Sequence, residues 1–152
     1  MAAVICIINE KGGSGKSSTT FHLAGALAAD GLRVLLVDVD PQASLSRGFF
    51  GRECVDALPA EQTIAALFDD DSFGRDYGPI VRPTEFPGLS IAPANVELKP
   101  YNSPEPETMG MSQYLLREFI DHHNEFDIVL IDCPPNLYRC SWVAMIAADW
   151  VI

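Results

Sequence analysis

Apolar and polar positions along this chain follow two alternating rhythms, and their order predicts the architecture. Residues 3–9, AVICIIN, are an apolar run of strand length. Residues 15–30 then carry Phe21, Leu23, Ala24, Leu27 and Ala28 at helical spacing, and Asp30 with Gly31 closes that helix. A second apolar run, RVLLVDVD at 33–40, follows with a carboxylate at its C-terminal end. Continuous rather than alternating apolarity suits strands of a parallel sheet covered on both faces. Strand, helix and strand make a βαβ unit. Downstream, residues 59–70 (PAEQTIAALFDD) predict a helix, 89–94 (LSIAPA) a short strand and 110–123 (GMSQYLLREFIDHH) a helix. Another buried strand is predicted over 126–135 (FDIVLIDCPP), then a helix over 142–148 leading into DWVI. The class is α/β, with a mainly parallel sheet flanked by helices.

Two tracts interrupt the rhythm. Residues 69–88 and 99–108 are rich in Pro, Gly and acidic residues, and they read as surface loops because strands of one sheet lie on both sides. Residues 1–152 are therefore expected to form one domain. At 152 residues and 48% hydrophobic composition the chain can bury a core of its own. Its longest apolar runs, AVICII and IVLI, are far shorter than a membrane span, and the N-terminus lacks the sections of a signal peptide. A cytoplasmic protein with no membrane association is the expectation.

Charge narrows the field of partners. Ten basic residues against twenty-one acidic ones, a net charge of −11, argue against this segment being a nucleic-acid-binding surface by itself. SRGFFGR, residues 46–52, offers Arg47 and Arg52 beside Phe49 and Phe50, either as a local stacking patch or as a solvated turn next to core aromatics. Cys6, Cys54, Cys133 and Cys140 show no C-x-x-C spacing and read as reduced thiols. The run Asp69, Asp70, Asp71 reads as a solvated face after a helix, with a metal cluster as the alternative. His22 falls on a helix, and His122 and His123 at a helix end, where an imidazolium suits the dipole.

The chemistry is concentrated in IINEKGGSGKSSTT, residues 7–20. A standard phosphate-binding loop reads G-x-x-x-x-G-K-[ST], and the position of its first glycine is held here by Glu10, followed by a second cation, Lys11. The context is nonetheless that of a P-loop, directly after a buried strand and directly before a helix. Gly12, Gly13 and Gly15 permit a backbone path whose amides turn inward around Ser14 as an anion nest, with Ser18 opening the helix. Lys16 is placed to reach β and γ phosphates, and the Ser17 hydroxyl to hold Mg2+. Asp132 ends the strand in VLIDCPP, either as a structural cap or, in company with the P-loop, as a magnesium ligand. Asp40 in DVDPQ lies on the same rim of the sheet, where ligands collect, and Asp38 two residues earlier can support either role.

Taken in order, KGGSGKSS, VLLVDVDPQASLS and FDIVLIDCPPNL resemble the deviant Walker A ATPases of the ParA and MinD superfamily, and DPQ favours the ParA branch. The resemblance runs from residue 3 to the last. It implies a P-loop ATPase with ATP and Mg2+ as ligands. Lys11 matches the family's additional lysine, which reaches across an ATP-bound homodimer to the partner's phosphates. Asp40 is implied to position or activate the attacking water. The implied partners are a ParB-type adaptor that stimulates turnover and, through a C-terminal portion, non-specific DNA. The implied process is plasmid or chromosome partition; relatives that position other cargo share the motifs. Glu10 and Ser18 stand where the family often has Gln and Thr. AADWVI stops where the family enters its next strand, so the portion carrying adenine contacts and the basic DNA surface is expected to be missing from these residues.

Overall fold

Six strands form one sheet in the order β3-β4-β2-β5-β1-β6. The computed structural model describes residues 1–69 and 77–152. The strands are β1 (Ala3–Ile7), β2 (Val34–Asp38), β3 (Arg82–Pro83), β4 (Leu89–Ala92), β5 (Ile128–Asp132) and β6 (Trp150–Val151). All neighbours pair in parallel except β3, which runs antiparallel against β4 at the edge. Pro83 explains that position, since a residue with no N–H is tolerated at an edge. The helices are α1 (Lys16–Ala29), α2 (Ser44–Phe50), α3 (Arg52–Asp56), α4 (Leu115–His122) and α5 (Arg139–Ala147).

The unbroken apolar runs are explained by the two layers that cover the sheet. Val34 and Leu36 of β2, Leu89 and Ile91 of β4 and Leu130 of β5 pack with Ala24 of α1 and Leu45 of α2. Leu35 and Val37 share the opposite face with Val129 and Ile131, beneath Leu116 and Phe119 of α4 and Val143 and Ala144 of α5. Each fully buried Leu or Ile contributes roughly 1.5–3 kcal/mol of hydrophobic stabilisation. A one-residue slip would exchange the two faces of a strand, so the register is tightly set. That register places Ile7 opposite Asp132, and Asp38 opposite Asp132 on the other side. The C-terminal ends of β1, β5 and β2 therefore lie level along one rim of the sheet.

Several sequence-based expectations change in detail. Where one helix is expected over 59–70, the described residues 59–69 form two 3-10 turns, Ala60–Gln62 and Ile64–Phe68. Thr63 splits them: its backbone is extended, its hydroxyl accepts from the Ala65 N–H, and the Ile64 N–H donates to the Pro93 carbonyl. Local side-chain bonding of this kind competes with helix propagation. The helix expected over 110–123 begins as a 3-10 segment, Gly110–Tyr114, before α4. The second strand stops at Asp38, leaving Asp40 in the turn that follows.

The segment 46–52, read as a loop, belongs mostly to α2, which Gly51 separates from α3 with φ 80°. Phe49 stacks at 4.9 Å from Phe21 of α1, and Arg47 and Arg52 both pair with Asp56, at 2.6 and 3.5 Å. Phe49 is thus a packing residue, and the two arginines are tied to a neighbouring acid. The four cysteines are free thiols, with Cys6 and Cys133 in contact at 3.3 Å between sulfurs. No group of three His, Cys, Asp or Glu suited to a metal occurs among the described residues. Asp70 and Asp71 of the acidic run lie outside those residues. No helix among the described residues is long and apolar enough to cross a membrane.

Candidate phosphate and magnesium site

The loop 8–15 leaves the end of β1 and enters α1 on the rim where the strand ends lie level. Gly13 and Gly15 adopt φ 70° and 84°, a left-handed conformation that residues with a Cβ rarely take. No atom lies within 4 Å of where a Cβ would stand at Gly12, Gly13 or Gly15, so this stretch of backbone faces open space. Helix α1 begins with no side-chain cap, which leaves its first N–H groups available to an anion. A cavity of about 350 Å³ sits here, lined by residues 12–18 together with Asp40, Ser44 and Pro135. That volume suits a small-molecule ligand.

Asp132 forms the floor. It ends β5 with 1% exposure, and its carboxylate accepts from the Ser17 hydroxyl at 2.6 Å, with the Thr20 hydroxyl at 3.5 Å. Burial is the leading reason its pKa is pushed up to about 6; the charge of Asp40 adds to this, while the Ser17 bond and Lys16 oppose it. Asp40 stands in the turn after β2, also buried, and accepts from the Gln42 N–H at 2.9 Å. Its pKa is raised chiefly by burial, with the Lys16 charge again opposing. Lys16 is therefore close enough to both acids to compensate part of their charge. It makes no ion pair shorter than 4.0 Å among the described residues, nor does the exposed Lys11, whose N–H donates to Asn9 Oδ1 at 2.9 Å.

Asp38 lies deeper and is fully buried. Its Oδ1 accepts from the Asp40 N–H at 3.0 Å, and its Oδ2 accepts from the Ser46 N–H at 3.0 Å and the Ser46 hydroxyl at 2.6 Å. Burial, then the Asp132 charge, push its pKa up to about 7 despite these donors.

Residues 12–18 and Asp40 line this cavity and Asp132 forms its floor, whereas Asp38 is buried outside the lining and the exposed Glu10 and Lys11 do not belong to it. Thr20 and Ser46 were missed. Thr20 was within reach of helical spacing, since it lies three residues from Ser17 on the same face of α1. Ser46 gives no signal in the sequence.

The donor set fits a magnesium-bound polyphosphate. A carboxylate and a hydroxyl in contact are hard oxygen ligands of the kind Mg2+ selects. The uncapped helix start and the glycine-lined space beside it form a cradle of donors for phosphate.

The AAA domain family profile matches residues 2–152. The chromosome partitioning protein ParA of Caulobacter vibrioides is 38% identical over 97% of this chain and 54% of its own length. The sporulation initiation inhibitor protein Soj of Bacillus subtilis is 34% identical, over the whole of this chain and 57% of its own length. Among solved structures, cobyrinic acid a,c-diamide synthase from Mycobacterium smegmatis, with a bound ATP analogue and magnesium, superposes with a TM-score of 0.83. It is 28% identical over 99% of this chain and 59% of its own. The chain thus spans about half the length of these relatives. By the profile match, by its relatives and by its sheet, the chain belongs to the AAA domain family, among the P-loop ATPases of the ParA and MinD type.

Proposed function

We propose that this chain is the N-terminal portion of a ParA-like ATPase whose cycle of Mg-ATP binding, homodimerisation and hydrolysis drives plasmid or chromosome partition in the cytoplasm. The observation that carries the reading is the 2.6 Å contact between Ser17 and Asp132 on the floor of the glycine-lined cavity that also holds Lys16 and Asp40. The relatives named chromosome partitioning protein ParA, at 32–38% identity, support partition over the chemistry of the synthase, at 28%.

In this reading the amides of Gly12, Gly13, Ser14 and Gly15 and the start of α1, with Ser17 and Ser18, hold the phosphate chain. Lys16 neutralises charge at the β and γ phosphates, and Ser17 and Asp132, with Asp40 nearby, hold Mg2+. The bound cation supplies charge neutralisation on the phosphate oxygens. Asp40 accepts a hydrogen bond from the attacking water and orients it; phosphoryl transfer needs an aligned nucleophile and stabilised charge more than covalent help from the protein. Lys11, exposed and without an ion pair among the described residues, reaches the phosphates bound to a second copy. A ParB-type adaptor and non-specific DNA are the proposed partners of the whole protein.

Calorimetric titration with Mg-ATP tests the site. Saturable binding is expected, lost in Lys16→Ala. Light scattering tests the dimer: Lys11→Ala should bind nucleotide yet stay monomeric, and unchanged ATP-dependent dimers would sink that role. A chain that binds Mg-ATP and dimerises but releases no phosphate, alone or with an adaptor, would instead be a nucleotide-gated dimerisation module.

A further inference from the structure

Asp40 is the one acid of the site that does not stand on a strand. It lies two residues beyond the end of β2, in a turn that could in principle point its carboxylate in many directions. Something must fix that turn if Asp40 is to face the cavity.

The Asp38 carboxylate uses one oxygen for the Asp40 N–H at 3.0 Å and the other for both the N–H and the hydroxyl of Ser46, at 3.0 and 2.6 Å. The Ser46 hydroxyl also accepts from the Ala94 N–H at 3.0 Å, just beyond β4. Asp38 and Ser46 are both fully buried. The turn between them is closed by the Ala43 N–H donating to the Asp40 carbonyl at 2.8 Å. Ala43 itself is held at φ 54°, the only positive φ of a non-glycine residue among those described. A left-handed alanine does not persist by its own preference; its surroundings must over-determine it.

We propose that Asp38 and Ser46 are positioning residues for ATP hydrolysis: a buried latch, anchored to the neighbouring strand end through Ala94, that sets the turn 40–44 and aims Asp40. Neither lines the phosphate cavity, so they act through the turn that carries Asp40. The proposal rests on the reading of Asp40 as the group that orients water. Its signature is selective: loss of the latch should spare binding of the ground-state nucleotide, which the P-loop holds, and weaken binding of a transition-state mimic, which needs Asp40 in place.

The test is fluorescence titration of the whole chain with Mg-ADP, alone and with aluminium fluoride, which gives a phosphoryl-transfer mimic without requiring turnover. Ser46→Ala removes the hydroxyl, Asp38→Asn removes an acceptor from a site that presents only donors, and Ser46→Thr keeps the hydroxyl. In Ser46→Ala and Asp38→Asn, affinity for the fluoroaluminate complex should fall roughly 10- to 100-fold, with Mg-ADP affinity within about 2-fold of wild type and Ser46→Thr restoring the difference. Asp40→Ala is the reference. If it loses the mimic while Ser46→Ala and Asp38→Asn keep it, the latch is wrong and the reading of Asp40 stands. Should Asp40→Ala keep the mimic, or wild type fail to prefer it, the reading of Asp40 falls and the latch with it. Equal weakening of both ligands would mean a general structural role and would also overturn the proposal. If Ser46→Ala does not fold, as judged by circular dichroism, Asp38→Asn carries the same comparison.

Discussion

Replacing Asp132 by Asn should stabilise the ligand-free chain at pH 8 and remove its response to magnesium nucleotide. The carboxyl is almost completely buried, and its pKa is pushed from 3.8 to about 6, chiefly by burial, with Asp40 adding to the shift. At about 1.36 kcal/mol per pH unit, holding it ionised in the fold costs on the order of 3 kcal/mol. The Asn carbonyl can still accept from Ser17, so most of the hydrogen bonding survives, and allowing for relaxation of the site leaves a gain of about 2 kcal/mol. In a chain of this size that is a rise in Tm of about 4–8 °C. A carboxyl with a raised folded-state pKa binds its proton more tightly when folded, so its penalty is absent below the unfolded value of 3.8. The penalty grows as pH rises towards 6 and is complete above it. Calorimetric melts in EDTA should therefore show the variant ahead of wild type at pH 8 and level with it at pH 4. With Mg2+ and ATP at pH 8 the order should reverse, because only wild type gains from the cation. A variant less stable than wild type at pH 8 in EDTA, or an equal difference at both pH values, would refute the reasoning.

Two further expectations concern the loop and the thiols. Gly15→Ala places a Cβ at φ 84° with no clashing neighbour, so backbone strain alone should cost about 1–2 kcal/mol and weaken Mg-ATP binding; a melt and a titration indistinguishable from wild type would show that the left-handed turn is not required. Ellman's reagent should titrate Cys54 rapidly in the native protein and reach Cys6, Cys133 and Cys140 only on unfolding, because these three are buried; the Cys6 contact and then burial hold the Cys133 thiol protonated, and burial does the same for Cys140. Fast reaction of more than one thiol would mean that the sheet opens near Asp132.

The parts of the site that could be read from the sequence are those set by local rules. Unbroken apolar runs located β1, β2 and β5, and Asp132 was legible because it terminates such a run. Glycine spacing before a helix located the phosphate loop. What could not be read depends on contacts made at a distance. Ser46 matters because Asp38 and Ala94 converge on it, and no periodicity marks that convergence. The helix Ser44–Phe50 was hidden by its own Gly48 and by Gly51, and its aromatics declare their role only once Phe21 stands opposite. The helix expected over 59–70 failed at a single residue, Thr63, whose hydroxyl offered the backbone a competing partner.

The strand order has a consequence for how the protein comes into being. β1 and β2 belong to one early crossover unit yet never pair; β5 lies between them. Chains emerge from the ribosome N-terminus first, at about 5–20 residues per second, so for several seconds the two strands exist without the one that joins them. Their facing edges remain open templates for wrong pairing until residues 128–132 arrive. The same strand brings Asp132, so the glycine loop and the Asp40 turn are synthesised long before the floor between them. Closing the sheet and completing the ligand set are one late event, and a nascent chain released before that point has neither.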